Sequence, residues 1–568
     1  MFLPRRVGFL FAGFREDCVF TGRLTICFPD DLMAGVVPGR VVLERSGDHS
    51  QLLMAKGWID ECVERHAECR RVVSSSPEPE LPTRVIEIGA GTAPGTLRLL
   101  QTNGQRGKWA ALSHRWGTMS WKDKVFNRKS PIMTLLSTNN EQLQQNIDPE
   151  HLTKTFQDAI TVTHTLGLRY LWIDSLCIIQ DSIEDWERES NLMADVYSHA
   201  QVTISAAAGP KGIFCEREWA KSSNPVKYQI FTGAGVGTIM FDIEHVNKRT
   251  PDPDLNYLQS RAWCFQEARL SPRLLAFDQA QMSLTCLQGR REEAIEPSGR
   301  DGRKKRNDFM LEYGNAEHPR KSKQDILEMW YNLVEDYSAR NLTVASDKLV
   351  AISSVAKVIN THLGDDYMAG MWKNSPPQGL LWRPDKRDDT FNERAFPSTT
   401  LRPYRAPSWS WASVEGRVAF FFARNALEET TIASIVNLHC DNDGKDKYGP
   451  CRNGHLEFRG PLKPAFTGER NLWIASHIGL YRPNTTGKGD TKEEFAFCML
   501  DAIPGLKQGS DIWCFQISTG HGLVLQKTSN SPEEYMRIGI FTQDTERRAT
   551  PENLCWWAEG GHSTIKVV

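Results

Sequence analysis

The chain has 568 residues, 40% of them apolar and 10% aromatic, so it can bury large cores and is too long for one ordinary domain; two or three are expected. Its 68 Lys and Arg nearly balance 70 Asp and Glu, which leaves no net field to hold a nucleic-acid backbone or an anionic membrane surface. The apolar run at 7–14 is far short of the ~20 residues a membrane span needs, and thirteen scattered cysteines do not resemble a secreted disulfide framework, so a soluble, cytoplasmic chain with reduced thiols is expected.

Cys62, His66 and Cys69 come first and fall on successive turns of one helical face, a partial zinc shell by residue type. No fourth ligand is evident beside them. The preferred reading is therefore a small helix packed through Trp58, Cys62 and His66, with no metal. Ser74 to Glu80 and Gly89 to Gly107 are rich in Pro, Gly and polar residues and read as loops leading into the core. Within them, Val85 to Gly95 offers a glycine-rich turn after a strand, as in nucleotide-like cofactor sites. Pro94 and Gly95 interrupt the helix that should follow, and the next strand ends in Ser113 and His114 rather than in an acid that would hold a ribose.

The regular core is expected to begin at Trp109, with Trp109 to Ser113 as a buried strand. Thr155 to Leu166 places Phe156, Ala159, Ile160 and Thr163 on one helical face and stops at Gly167. Tyr170 to Ile173 is a second buried strand, a helix opens on the acidic stretch from Ser182 and runs to Ala200, and Val202 to Ser205 is a third strand. This β-α-β-α-β order predicts a parallel sheet with a ligand site beyond the carboxyl ends of the strands. Arg290 to Lys323 is charged and reads as an exposed insertion or linker. Beyond Thr400, strand-like runs at Thr431 to Leu438, His455 to Phe458, Phe495 to Leu500, Ile512 to Ile517, Leu523 to Gln526 and Tyr535 to Phe541 predict a β-rich region.

Two segments, Ala111-Leu112-Ser113-His114-Arg115-Trp116-Gly117 and the run from Tyr170 to Asp181, resemble the signature blocks of the heterokaryon-incompatibility (HET) domain. The resemblance continues through Asp185 to Glu189, Met193, Tyr197 and Ala200, and again from Arg261 to Glu267 with Leu270, Ser271 and Arg273. Family-like segments also occur upstream, at Trp58, Cys62, His66, Cys69 and Leu81 to Arg84. Downstream they occur at Leu342 to Leu349, Leu380 to Trp382, Arg405 to Ser413, Gly522 to Leu525 and Arg537 to Phe541. His114 departs from the pattern, in which this position is often aromatic or cysteine. The resemblance implies a fungal protein of allorecognition and programmed cell death, with a parallel-sheet α/β core similar to TIR domains and flavodoxin-like folds. It implies action through self-association or a protein partner, in some relatives with cleavage of NAD as substrate; no cofactor is otherwise evident. The expected division is an N-terminal region 1–108 with a small helix and loops, a HET domain 109–289, the linker 290–323, a helical segment 324–399 and a β-rich domain 400–568.

The candidate site follows from the strand ends. Asp174 closes the second strand and Ser113, His114 and Arg115 close the first, so all four should meet at the carboxyl edge of the sheet. At 100° per residue Glu189 falls inside the apolar stripe of Trp186, Met193, Val196, Tyr197 and Ala200. Such a carboxylate is either paired, with Arg115 or Arg261 as the expected partners, or held in a cleft where it serves acid/base chemistry. Arg261, Gln266 and Glu267 could close the same pocket from a following helix, and Cys177 and His164 read as packing and surface residues. Two functions stand open: a signalling effector, and a hydrolase or lyase of a fungal secondary-metabolite pathway. In the second, Glu189 and Asp174 would be the acid/base pair and Arg115 the anchor for a small-molecule ligand.

Overall fold

Trp109–Ser113 (β4) is buried at every position and has no polar face, which requires cover on both sides of its sheet. A computed structural model provides that setting. It describes residues 42–74, 78–89, 96–116, 133–217, 226–245, 258–293, 322–385, 404–442, 446–470, 478–482, 494–501, 511–528, 533–543 and 556–568, with 20–26 and Leu32, apart from single positions 210, 234, 259 and 560 and the pair 427–428. The chain divides into two units, Met1–Pro319 and Arg320–Val568.

In the first unit, β1 (Phe20–Ile26) lies in a separate three-stranded antiparallel sheet with β7 (Val226–Thr232) and β8 (Gly235–His245). Helices α1 (His49–Arg65) and α2 (Ala67–Ser74) lead to an eight-stranded sheet. Its remaining strands are β2 (Arg84–Ile88), β3 (Leu97–Gln101), β5 (Tyr170–Trp172), β6 (Val202–Ala206), β9 (Arg273–Phe277), β10 (Met282–Cys286) and β11 (Gly289–Glu292). The spatial order is β11-β10-β9-β6-β4-β5-β2-β3. β5 and β6 flank β4 in parallel, as the alternation of strands and helices predicts, and β9 adds a fourth parallel strand beside β6. The sheet as a whole is mixed, because antiparallel hairpins extend it at both ends.

The crossovers form for local reasons. Helix α4 (Lys154–Thr165; the short α3, Asn140–Gln145, precedes it) is capped by the Thr153 hydroxyl accepting from Phe156 N–H and buries Phe156, Ala159 and Val162. Gly167 at φ 78° then turns the chain into β5. The one-turn helix α5 (Asp174–Cys177) follows, and α6 (Ile183–His199) is capped by Ser182, with Glu184 and Asp185 at its positive end. Helix α7 (Trp263–Leu270) precedes β9.

The core starts earlier than Trp109. The stretch from Gly89 to Gly107, read as loop, contains β3, and β2 and β3 are antiparallel partners. Arg84 to Ile88 therefore pairs antiparallel with Leu97 to Gln101, and residues 90–95 of the glycine-rich stretch lie outside the described residues. Residues 294–321 of the charged stretch also lie outside them, and Arg290–Glu292 belong to β11.

The second unit opens with helices Lys323–Ser338, which carries a Ser322–Asp325 capping box, and Val350–Leu363. Its strands run Ser434–Asn442, Cys451–Gly460, Ser563–Val567, Glu534–Thr542, Glu494–Leu500, Ile478–Tyr481, Leu462–Arg470, Asp511–Ser518 and His521–Lys527 in spatial order. His521–Lys527 also pairs with Glu534–Thr542, which closes the last six into a barrel. Three family-like segments meet here around buried Arg537. It forms a bidentate pair with Asp501 at 2.9 and 3.0 Å and donates to the carbonyls of Leu380 and Trp382, each at 2.6 Å. Its backbone N–H donates to the Ser408 hydroxyl. The expectation that all cysteines are reduced fails at Cys440 and Cys451, which are disulfide-bonded because two paired strands bring them together. Among the described residues no helix is long and apolar enough to cross a membrane.

Candidate functional site

Three parallel strands in register deliver their last residues to one edge, and β4 is central. Ser113 ends β4 and is buried, His114 follows it, and Asp174 begins α5 just beyond β5. Arg115, Asp174 and Arg261 are part-exposed while Ser113, His114 and Glu267 are buried, so the cluster has a solvent-facing side and an enclosed one.

Asp174 is fixed from two directions. Its Oδ2 accepts from Trp116 Nε1 at 2.8 Å and its Oδ1 from the Ser175 N–H at 2.7 Å. His114 Nδ1 lies 3.7 Å from Asp174 Oδ1, and its ring meets Phe156 edge-on. Neither ring nitrogen of His114 has a hydrogen-bond partner. Burial pushes the imidazole below its ordinary pKa, and the Arg261 charge adds to this against the pull of Asp174. At neutral pH the ring is therefore neutral, with a nitrogen lone pair free to accept a proton.

Glu267 faces the same cluster from α7. Burial pushes its carboxyl up to about 7; the Ser113 hydroxyl and the Arg261 guanidinium lower it, and Asp174 raises it further. Its Oε2 has no hydrogen-bond partner, nor does Oε1 of its neighbour Gln266. One turn earlier Cys264 also reaches this place, its Sγ 4.0 Å from the His114 carbonyl, and burial holds its thiol well above the ordinary value. Tyr197, buried beneath, donates to the Leu112 carbonyl at 3.2 Å. A buried carboxyl that titrates near neutrality beside a neutral imidazole with no hydrogen-bond partner, the Asp174 side chain and an arginine can exchange protons and hold an anionic group.

Glu189 stands elsewhere. Its stripe does face inward and it is 2% exposed, but its carboxylate lies against Arg84 at 3.6 Å and Arg188 at 3.2 Å, not against Asp174, Arg115 or Arg261. Arg84 is buried and also holds Asp185 Oδ2 at 2.5 Å and the Cys177 carbonyl at 2.7 Å. Burial opposes ionisation of Asp185, yet the hydrogen bonds from Arg84 and the Ile179 N–H keep its carboxyl below the usual range. Glu189 thus sits in a closed ion-pair network at the start of α6. The edge cluster joins Asp174 to Glu267 instead. The missing signal was the arginine: Arg84 lies more than a hundred residues upstream, in a strand the sequence did not mark as core. Cys177 is packed inside, its thiol pushed up to about 12 by burial, and His164 is exposed, both as expected.

Residues 109–267 match the family model described as Heterokaryon incompatibility protein (HET), a span that opens with β4 and closes on Glu267. No curated protein and no solved structure matches the chain. Every residue of the edge cluster falls within the matched span, and residues 109–267 are similar to the HET domain.

Proposed function

We propose that this protein is a cytoplasmic heterokaryon-incompatibility effector. It acts with a protein partner or further copies of itself, and its edge cluster of Ser113, His114, Asp174, Arg261 and Glu267 is a nucleotide site with NAD as substrate. The observation that carries this reading is the buried Glu267 carboxyl, with a free oxygen and a pKa of about 7, beside the unpartnered His114 ring. Supporting it, the parallel strands run β5-β4-β6-β9, the order of flavodoxin-like sheets, whose ligands bind where the chain reverses direction across β4. Arg261 then holds the pyrophosphate. Water adds to the anomeric carbon as the bond to the pyridinium nitrogen breaks; its proton passes to Glu267 or His114, and nicotinamide leaves neutral together with ADP-ribose. Asp174 keeps the role of a charge that steadies the developing oxocarbenium ion, and Glu189 is reassigned to holding the fold.

The test is chromatography of NAD incubated with the purified chain. Wild type and Glu189→Gln should release nicotinamide, and Glu267→Gln should lose at least about 100-fold of the rate. A wild-type protein that neither binds nor cleaves NAD removes the nucleotide reading.

A further inference from the structure

Cys62, His66 and Cys69 have no fourth ligand near them in the sequence. The fold supplies it. Cys286, the last residue of β10 and 220 residues after His66, comes to 3.4 Å from the His66 Nδ1 through its Sγ. The three sulfurs and the imidazole nitrogen all lie within 4.8 Å of one another. A tetrahedral zinc with ~2.3 Å bonds to sulfur and ~2.0 Å to nitrogen needs ligand atoms about 3.5 to 3.8 Å apart, so the group closes on an ion with shifts of an ångström or less. Cys62, Cys69 and Cys286 are buried, none is disulfide-bonded, and among the described residues no further thiol, imidazole or acid joins the group.

Local structure explains the convergence. Helix α1 ends at His66, whose extended backbone (φ −84°, ψ 111°) breaks the chain before α2 begins at Ala67. Cys62 therefore sits in the last turn of one helix and Cys69 in the first turn of the next. On the sheet side Cys286 is paired directly with Arg273 of β9, so the two side chains share a face. Arg273 is fully buried, donates through Nη1 to the Gln201 carbonyl, and has neither Nε nor Nη2 hydrogen-bonded. Its charge acts on Cys62 and Cys69. Three thiolates and an imidazole around Zn²⁺ carry a net charge of −1. A buried guanidinium with two donor nitrogens that are not hydrogen-bonded is the counter-charge such a centre needs.

We propose that Cys62, His66, Cys69 and Cys286 bind one structural Zn²⁺ that fastens the α1–α2 segment to the β9–β10 hairpin, with Arg273 neutralising the centre. Four protein ligands leave no open position for substrate, so the ion shapes the domain and does not react. Zinc is the ion of choice because soft thiolates with one imidazole in a tetrahedron select it over the harder divalent cations.

Full-length protein purified without chelators or metal-affinity steps should carry one zinc per chain by plasma mass spectrometry, with all four side chains unmodified. Cys69→Ser and Cys286→Ser should each lose that equivalent, and His66→Cys should keep it. Exchange with Co²⁺ should give the intense visible bands of a tetrahedral thiolate site, shifted in His66→Cys. Because the serine variants could fail to fold, the wild-type metal content and cobalt spectrum decide on their own. Wild type without stoichiometric zinc, a disulfide among the three cysteines, bound iron, or zinc retained by both serine variants would each overturn the proposal.

Discussion

Glu267→Gln removes a titrating carboxyl from the enclosed side of the site and keeps its shape. In the folded chain burial raises that carboxyl from 4.5 to about 7. Between those values the native state holds a proton that the unfolded state has released, so this group stabilises the fold at low pH. The contribution is complete below the unfolded value and is lost as pH rises through 7. Two and a half pH units at 1.36 kcal/mol each give ~3 kcal/mol in all, of which about 2.5 kcal/mol falls between pH 5 and pH 8. The His114 imidazole, held low by burial, acts in the opposite direction, so the difference between wild type and variant is the informative quantity. Urea titrations of both proteins at several pH values should show Glu267→Gln gaining about 2.5 kcal/mol relative to wild type from pH 5 to pH 8. A difference that stays constant across that range would refute the buried, protonated carboxyl and the acid/base role built on it.

Other consequences follow from the buried charges and the core. Asp185→Asn should destabilise by ~3 kcal/mol because Arg84 loses its short partner, whereas Glu189→Gln should cost about 1 kcal/mol since Asp185 still neutralises Arg84; the two denaturation midpoints check this. Trp172→Ala empties a fully buried site beneath Tyr197 and should cost ~3 to 5 kcal/mol, read by denaturant titration; a loss below about 1 kcal/mol would mean that β5 is not buried. In the second unit Arg537→Lys should lose ~3 kcal/mol or more, because an ammonium cannot make the paired contacts to Asp501 and still reach the Leu380 and Trp382 carbonyls.

The parallel strands were legible because each is a short apolar run followed by a cap or glycine: Trp109 to Ser113, Tyr170 to Ile173 before Asp174, and Val202 to Ser205 after α6. In the β-rich region the runs at His455, Phe495, Ile512, Leu523 and Tyr535 each became a strand. Leu462–Arg470 and Ile478–Tyr481 did not stand out, since Pro464 and Gly479 interrupt their patterns. The antiparallel edges were hidden for a related reason. β3 lies in a stretch whose glycines and polar residues read as loop, and β10 and β11 adjoin a charged run that masked their pattern. What the sequence could not give was partnership across distance. Both Glu189 and Glu267 lie on inward helical faces, and only the fold decides that Arg84 claims the first and leaves the second beside His114 and Asp174. Cys286 is likewise an ordinary strand-end cysteine until β10 is laid beside α1.

We propose that the edge cluster serves the cellular activity and that the Arg84 network holds the fold. Growth of cells expressing wild type, Glu267→Gln or Glu189→Gln at equal soluble abundance tests it most directly. Growth arrest is expected with wild type and Glu189→Gln, and normal growth with Glu267→Gln. Arrest by Glu267→Gln equal to wild type, at matched abundance, would contradict it.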